Sequence, residues 1–356
     1  MSEPLRVAVD ATPVVCGRTG IAAYVRELVA ALPGHDVAPL LFSVGRAHQP
    51  VPAGCRHLPV PSRIVHRSWG LGGPPRAELI AGGRPALVHA TSLLPPTSRR
   101  PVVATVQDLA ALERPDLHPE RSVRQLRALV AHLHRAVIVL AISEATAEVV
   151  AGHGVDRSRI VVTPLGLVGL GDAALGRVVD APYLLAVGEQ MPRKGLDLVL
   201  EALAADPALP DLVHVGPEAS GTAELRAAVE RLGLGHRVRF LGFVPGAELS
   251  RLVRDADALV YPSLAEGFGL PVLEAMAVGT PVVASDLPAL REVAGDAAVL
   301  VPAGDVGALA TGIGQVLSDD ALRVRLRTAG PARAATFTWD RCAALTAVAY
   351  NRALEP

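Results

Sequence analysis

Residues 261–286 read YPSLAEGFGLPVLEAMAVGTPVVASD. The pattern predicts a strand that ends at Ser263, a glycine-rich loop, and a helix that begins near Pro271, where a missing N–H breaks no helical hydrogen bond. A second β-branched run, PVVASD, follows this helix directly. The order of strand, loop, helix and strand is typical of a βαβ unit with parallel strands.

The same alternation extends over the whole chain of 356 residues. Short β-branched runs alternate with helical patterns, and six of these runs fall in each half. In chain order they are LRVAVDAT, VAPLLFSV, ALVHAT, PVVATV, AVIVLAIS, RIVVTPL, YLLAVGE, DLVHVG, VRFLGF, ALVYPS, PVVASD and AVLVPA. Continuous apolar strands between helices are typical of sheets buried on both faces. We therefore predict an α/β fold with two doubly wound, Rossmann-like domains, since the chain is too long for one ordinary core.

The stretch 166–182 is rich in glycine and ends in proline, which predicts a linker. The domains on either side are predicted at residues 1–165 and 183–338. Residues 339–356 are predicted to form a helix that packs back toward the N-terminal domain. In folds of this kind, ligands bind at the carboxyl ends of the strands.

The distribution of charge differs between the two halves. Residues 1–165 hold 18 arginines and 12 acidic residues (+6), whereas residues 166–356 hold 16 basic and 23 acidic residues (−7). The asymmetry indicates an anionic partner for the first half, although ordinary variation of surface charge explains it equally well. Among the 34 basic residues of the chain, Lys194 is the only lysine.

Cysteine spacing and hydropathy restrict the class of protein. The three cysteines are far apart and form no C-x-x-C pair, so neither a disulfide framework nor a zinc site is predicted. The N-terminus lacks the pattern of a signal peptide, and no apolar run approaches the ~20 residues of a membrane span. We expect a cytoplasmic protein in a reducing environment.

The loop and helix after Ser263 carry the strongest candidates for chemistry. Free N–H groups and the positive end of the helix dipole favour an anion or a hydroxyl at the start of this helix. Glu266 and Glu274 can accept hydrogen bonds from neighbouring hydroxyls of a sugar or a ribose. A simpler interpretation also stands, in which both acids only complement the dipole of the helix.

The residues from Glu266 to Glu274, EGFGLPVLE, resemble the E-x7-E signature of the retaining glycosyltransferases of family 4, which have the GT-B fold. The resemblance continues in segments that cover most of the chain. They are DLPALREVAGDAAVLV (286–301), VGEQMPRKGLDLVLEAL (187–203), VRFLGFVPGAEL (238–249), VTPLG (162–166) and RTGIAAYVREL (18–28). The resemblance implies two Rossmann-like domains that face a cleft, with the acceptor in the first and the nucleotide in the second.

The resemblance also implies a role for individual residues. Glu274 would bind the ribose hydroxyls, Glu266 the hydroxyls of the donor sugar, and Arg193 with Lys194 the diphosphate. Further donor contacts would come from backbone or small residues, namely Gly267, Phe268, Gly269, Leu270, Val244, Gly20 and Thr19.

Arg193 and Lys194 match a physical requirement of this reaction. Breaking a sugar–phosphate bond leaves negative charge on the diphosphate, which a positive group must stabilise in the transition state. Many transferases use a metal ion for this, but the one D-x-D spacing, Asp255-Ala256-Asp257, is predicted at a turn between a helix and a strand. The resemblance implies a reaction without metal or other cofactor.

Two positions depart from the pattern of the family. Glu189 follows Gly188 where many relatives have arginine, and Gln107 in VQDL stands where relatives often have histidine. Gln107 and Asp108 remain candidates for contact with the donor sugar or the acceptor. His89 and His118 either substitute for that histidine or are ordinary polar residues of the surface or the cleft. These departures keep a second hypothesis open, in which a non-catalytic or altered GT-B protein binds a nucleotide sugar.

The expected reaction is transfer of a hexose from a nucleotide diphosphate sugar to a hydroxyl of a glycan, a lipid-linked acceptor or a small molecule. Resemblance to bacterial polysaccharide mannosyltransferases favours mannose from GDP-mannose. No nucleic-acid partner is predicted. The predicted helix 119–135 carries a basic stripe, which indicates either contact with an anionic membrane or a solvated helix face.

Overall fold

The computed structural model describes residues 3–17, 20–169, 178–179 and 182–355. The chain forms two compact units. The first comprises Met1–Glu113, Pro119–Gly166 and Phe337–Pro356, and the second comprises Arg114–His118 and Leu167–Thr336. Most of the predicted linker lies outside the described residues.

The first unit is built on a parallel sheet of seven described strands. They are β1 (Leu5–Asp10), β2 (Val37–Val44), β3 (Arg56–Leu58), β4 (Leu87–Ala90), β5 (Val102–Val106), β6 (Ile138–Ala141) and β7 (Ile160–Val162). Their order in the sheet is β3-β2-β1-β4-β5-β6-β7. Leu5 pairs with Val37 on one side of β1, and Val7 pairs with Leu87 on the other.

Helices connect these parallel strands, as crossovers must. They are α1 (Thr12–Cys16), α2 (Gly20–Ala31), α3 (Ser62–Gly70), α4 (Ala77–Ala81), α5 (Ala110–Glu113), α6 (Glu120–Val130) and α7 (Glu144–Gly152). Trp69, Tyr24, Tyr350 and Phe42 are among the largest fully buried side chains of this unit.

The second unit has a parallel sheet of six strands within the described residues. They are β8 (Tyr183–Val187), β9 (Asp211–Val215), β10 (Val238–Phe240), β11 (Ala258–Tyr261), β12 (Val282–Ser285) and β13 (Val299–Val301). Their order is β10-β9-β8-β11-β12-β13. The helices are α8 (Leu196–Ala205), α9 (Thr222–Arg231), α10 (Gly246–Asp255), α11 (Leu270–Ala277), α12 (Pro288–Ala294), α13 (Val306–Ser318) and α14 (Asp320–Ala334).

The last helix, α15 (Trp339–Leu354), packs in the first unit against α2 and β6. A buried chain of hydrogen bonds fastens it there. Tyr350 Oη lies 2.7 Å from His89 Nδ1, His89 Nε2 lies 2.7 Å from Thr105 Oγ1, and Thr105 Oγ1 lies 2.9 Å from Tyr24 Oη. Burial lowers the pKa of His89 to about 3, so its ring is neutral. His89 is thus a core residue, which removes it from the candidates for a donor contact.

The predicted α/β class with two doubly wound sheets is confirmed. All twelve predicted strands form, and β3 is an addition. In each sheet the strand order reverses once, between β1 and β4 and between β8 and β11. Loops that leave neighbouring strands in opposite directions open a crevice at such a switch point, beside the carboxyl ends of the strands.

Candidate active site

The segment that holds the single lysine leaves β8 at the switch point of the second sheet. A short helical turn, Pro192–Lys194, ends at Gly195, whose φ is +61°. A Cβ at Gly195 would lie 2.2 Å from the carbonyl oxygen of Pro262. Only glycine fits at this position. Leu264 N also donates a hydrogen bond to Arg193 O at 2.7 Å. The turn is therefore held against the loop that follows β11.

Glu266 lies at the centre of this contact. Within the described structure its Oε1 accepts hydrogen bonds from Tyr261 Oη at 2.9 Å, Ser263 Oγ at 3.0 Å and Arg193 Nη1 at 3.2 Å. Lys194 Nζ forms a close ion pair with the same oxygen. The side chain of Glu266 is only 7% exposed. A buried carboxylate is stable only when it is bonded in this way.

The electrostatics of the cluster favour the charged forms of Glu266 and Lys194. Burial opposes ionisation of Glu266, but Lys194 and Arg193 outweigh it and hold its pKa below the usual range. Burial also opposes the charge on Lys194, yet Tyr261 and Glu266 outweigh it and raise the lysine pKa. Two cations therefore face one carboxylate, and the remaining positive charge can stabilise an anion.

Tyr261 and Ser263 were not among the predicted site residues. Tyr261 ends β11, and its hydroxyl accepts a hydrogen bond from Lys194 Nζ at 2.8 Å. The ammonium lies 5.0 Å from the centre of the tyrosine ring, within the range of a cation–π contact. The sequence signal that could have identified Tyr261 and Ser263 is the presence of two hydroxyl side chains at the carboxyl end of a predicted strand. Burial raises the pKa of Tyr261, so it acts as a neutral hydroxyl.

The predicted glycine-rich loop leads into α11. Gly267, Phe268 and Gly269 are buried, and Leu270 is half-buried at the start of the helix. Gly269 has a φ of +104°, and a Cβ there would lie 2.5 Å from Leu290 Cδ2, so this position also requires glycine. The loop thereby brings bare backbone next to Glu266.

Glu274 lies one turn into α11 and differs from Glu266 in its surroundings. In the described part of the chain no cation pairs with it, and burial raises its pKa to about 7. A carboxyl group that is desolvated and has no fixed partner is suited to accept hydrogen bonds from a ligand.

Glycines follow three neighbouring strands at the same edge of the sheet. Gly188, Gly216 and Gly242 have φ values of +150°, +152° and +67°. A Cβ at Gly216 would lie 1.8 Å from the carbonyl oxygen of Gly188, which also accepts a hydrogen bond from His214 Nε2 at 2.9 Å. The edge is therefore lined by backbone.

Val244, one of the predicted donor contacts, lies in the loop after Gly242. The side chain of Val244 is buried, so its backbone is what the loop presents there. The neighbouring Phe243 is 72% exposed and is the one aromatic side chain of this loop.

The remaining candidates lie in the first unit. Gly20 begins α2, and a Cβ there would meet no atom within 4 Å. Thr19 lies outside the described residues. Gln107 follows β5, and its buried Nε2 has no hydrogen-bond partner within the described part of the chain. Asp108 is exposed, and its carboxylate accepts a hydrogen bond from Ala110 N at 2.7 Å.

The D-x-D residues, Asp255-Ala256-Asp257, lie at the predicted turn between a helix and a strand. Helix α10 ends at Asp255, and β11 begins at Ala258. Over the described ranges no group of three or more His, Cys, Asp or Glu side chains could hold a metal ion.

None of the helices described is long and apolar enough to cross a membrane.

Two family models match adjacent parts of the chain. Residues 18–167 match the model described as Glycosyltransferase Family 4, and residues 172–333 match the model described as Glycosyl transferases group 1. O-antigen chain mannosyltransferase B of Escherichia coli is 32% identical over 281 residues, which cover 74% of each chain. The chain belongs to the family 4 (group 1) glycosyltransferases. The predicted family is thereby confirmed.

A second relative is the D-inositol 3-phosphate glycosyltransferase of Mycobacterium bovis. It is 34% identical to this glycosyltransferase over 276 residues, which cover 71% of this chain and 57% of that protein. The matched part therefore spans little more than half of the mycobacterial relative.

Solved structures share the fold of this glycosyltransferase. Sucrose-phosphate synthase of Thermosynechococcus elongatus has a TM-score of 0.78 at 22% identity and covers 98% of both chains. HepE of Anabaena, solved in complex with UDP and glucose, has a TM-score of 0.74 at 21% identity and covers 98% of this chain and 99% of its own. At these identities the likeness concerns the fold alone, and it confirms the predicted GT-B class.

Proposed function

We propose that this glycosyltransferase moves a hexose from a nucleotide diphosphate sugar to an acceptor hydroxyl, with retention of configuration at the anomeric carbon. The observation that carries the proposal is the buried cluster at the switch point of the second sheet, in which Arg193 and Lys194 both form ion pairs with Glu266. The proposal assigns the nucleotide to this second domain and the acceptor to the first.

The chemistry rests on stabilising the leaving group. The bond between the anomeric carbon and the diphosphate oxygen breaks, and its electron pair moves to the diphosphate. The acceptor oxygen bonds to the same face of that carbon, and its proton passes to a phosphate oxygen. Arg193 and Lys194 offset the charge that develops on the diphosphate. Glu266, ionised and held in place, accepts hydrogen bonds from hydroxyls of the sugar.

Donor binding extends from this cluster along α11. Glu274 binds the ribose hydroxyls, the backbone of Gly267–Leu270 cradles sugar and phosphate oxygens, and the loop at Val244 flanks the base. Gly20, Thr19, Gln107 and Asp108 add contacts from the first domain. Gln107 Nε2 is buried and has no hydrogen-bond partner among the described residues, which supports a contact with a ligand oxygen.

We propose that the reaction needs no metal ion. Two fixed cations beside the proposed diphosphate site supply the charge that a metal supplies in other transferases. The experiment is sugar transfer with and without EDTA. Equal rates support the proposal, and loss of activity that Mg²⁺ or Mn²⁺ restores would contradict it.

For the donor we propose GDP-mannose, supported by the relative named as a mannosyltransferase. The fold neighbour solved with UDP and glucose makes UDP-glucose the natural competitor in the test. Thermal unfolding with GDP, UDP, dTDP and ADP separates the bases. GDP should raise the melting temperature most, and a larger shift with UDP would exclude the guanine assignment.

For location we propose the cytoplasm, with peripheral contact at the inner face of the membrane through the basic first domain. Arg121, Arg124 and Arg127 of α6 are exposed, whereas the apolar face of the helix is covered, because Val130 lies in the core and Leu126 packs against it. The contact would therefore be electrostatic. Sedimentation with anionic but not with neutral vesicles is the expected result.

The alternative is a non-catalytic protein that binds a nucleotide sugar. Glu189 is exposed beside the proposed diphosphate site and adds negative charge there, which favours this hypothesis. Incubation with a panel of nucleotide sugars decides between the two. Transfer or hydrolysis of any donor excludes the non-catalytic protein, and tight binding without turnover would support it.

A further inference from the structure

The first domain contains a cavity of about 460 Å³ beside the carboxyl ends of its first three strands. Its lining residues are Cys16, Arg46, His48, Pro61, Ser62 and Arg63. Cys16 ends α1, Arg46 and His48 follow β2, and Arg63 lies in the first turn of α3. The volume is in the range of sites for small molecules, ~300–1,000 Å³.

Backbone hydrogen bonds hold the loops around this cavity in place. His48 N donates to Val15 O at 2.9 Å, and Gly45 N donates to Leu58 O at 3.1 Å. Gly45 has a φ of +115°, and a Cβ there would lie 3.3 Å from Ser62 Cβ. The arginine and histidine side chains therefore project from a fixed frame.

The basic side chains that line the cavity are Arg46, His48 and Arg63. Arg46, His48 and Arg63 are exposed, and their side chains form no ion pair or hydrogen bond within the described structure. Among the described lining residues there is no carboxylate. The surrounding sequence, residues 45–100, holds eight arginines and a single acid, Glu78. Such a concentration of positive charge attracts anions to the site.

We propose that the sugar acceptor carries a phosphate group and that Arg46, His48 and Arg63 bind this phosphate in the cavity. The inference rests on the proposed function, since it names the acceptor class of the same reaction. Guanidinium groups bind phosphate oxygens through paired hydrogen bonds, and two of them with an imidazole can bond all the terminal oxygens. The rest of the cavity leaves room for the sugar that carries the phosphate.

Binding of a phosphorylated sugar tests the proposal directly. Isothermal titration compares glucose 6-phosphate with glucose, and farnesyl phosphate in detergent represents a lipid-linked source of the same group. We expect glucose 6-phosphate or farnesyl phosphate to bind and glucose to bind at least about tenfold more weakly. The tighter of the two phosphates indicates whether the acceptor is soluble or lipid-linked.

Variants locate the site. Arg46→Gln and Arg63→Gln should each weaken phosphate binding about tenfold or more, because each removes a charged hydrogen-bond donor. Arg67→Gln is the matched control, since Arg67 lies one turn further along α3, is exposed and does not line the cavity. It should bind like the wild type.

Two results would overturn the proposal. One is the absence of binding by both phosphates, and the other is wild-type affinity in Arg46→Gln and Arg63→Gln. Loss of binding only in Lys194→Met would mean that the phosphate enters the nucleotide site, which also contradicts it. Nucleotide titration keeps the two claims apart, because Arg46→Gln should bind the donor nucleotide normally. Failure of the wild type to bind any nucleotide would count against the proposed function instead.

Discussion

Lys194 Nζ lies 2.8 Å from the hydroxyl oxygen of Tyr261, at the end of the strand that flanks the switch point. The same hydroxyl donates to Glu266 at 2.9 Å. Tyr261 therefore links a buried cation and a buried carboxylate through one neutral group. This link fixes the position of the ammonium that we propose binds the diphosphate.

Removing that hydroxyl should affect turnover more than binding. In Tyr261→Phe the ammonium loses one of its fixed partners while the ring and the ion pair remain. We expect kcat to fall about tenfold and KM for the donor to change less than about threefold. Steady-state kinetics measure both. An unchanged kcat would show that Tyr261 does not position Lys194.

The raised pKa of Glu274 should make the free energy of unfolding depend on pH. Burial raises its pKa from 4.5 to about 7, so between these values the folded protein holds a proton that the unfolded chain has released. Stability therefore falls as the pH rises through this window, by at most about 3 kcal/mol. Glu274→Gln removes the titration. Urea unfolding should show the variant more stable than the wild type at pH 8 and the difference shrinking toward pH 5. A difference that is constant with pH would contradict this.

Gly195 predicts a cost for any side chain at the turn beside Lys194. Gly195→Ala combines a left-handed backbone with a collision against Pro262 O, whereas Gly233 has a similar φ of +67° and open space. Gly233→Ala should lose about 1–2 kcal/mol of unfolding free energy, and Gly195→Ala clearly more. Chemical denaturation compares the pair, and equal losses would argue against the close packing of the two loops.

Tyr350 predicts how firmly α15 is held. Tyr350→Phe leaves His89 Nδ1 buried without its partner, which should cost about 1–3 kcal/mol. Val348→Ala is the control on the same helix, because Val348 is 63% exposed. Thermal unfolding should separate the two variants. Equal stability would mean that the buried chain of hydrogen bonds contributes little.

Much of the fold was predictable from the sequence because buried parallel strands are continuous and apolar. The exception is β3, since Arg56–Leu58 is only three residues long and carries a basic and an imidazole side chain. This segment becomes a strand because it pairs with β2, and the local sequence pattern does not indicate that pairing.

The candidate site was predictable where one segment contains the information. Glu266, Gly269 and Glu274 lie in a single stretch of strand, loop and helix, and the lone lysine marked the other segment. Tyr261 and Ser263 were missed because their role depends on the convergence of two loops that are about 70 residues apart, as the Lys194–Tyr261 bond shows. His89 was placed wrongly because its burial depends on a helix from the far end of the chain.

The most direct test of the account is the release of nucleoside diphosphate from a panel of nucleotide sugars by the wild type and by Lys194→Met, in the presence of EDTA. Arg231→Met is the matched control, because Arg231 is an exposed cation of the same domain. We predict that the wild type and Arg231→Met release the diphosphate at the same rate, and Lys194→Met about 100-fold more slowly. Release by Lys194→Met at the wild-type rate would contradict the central claim.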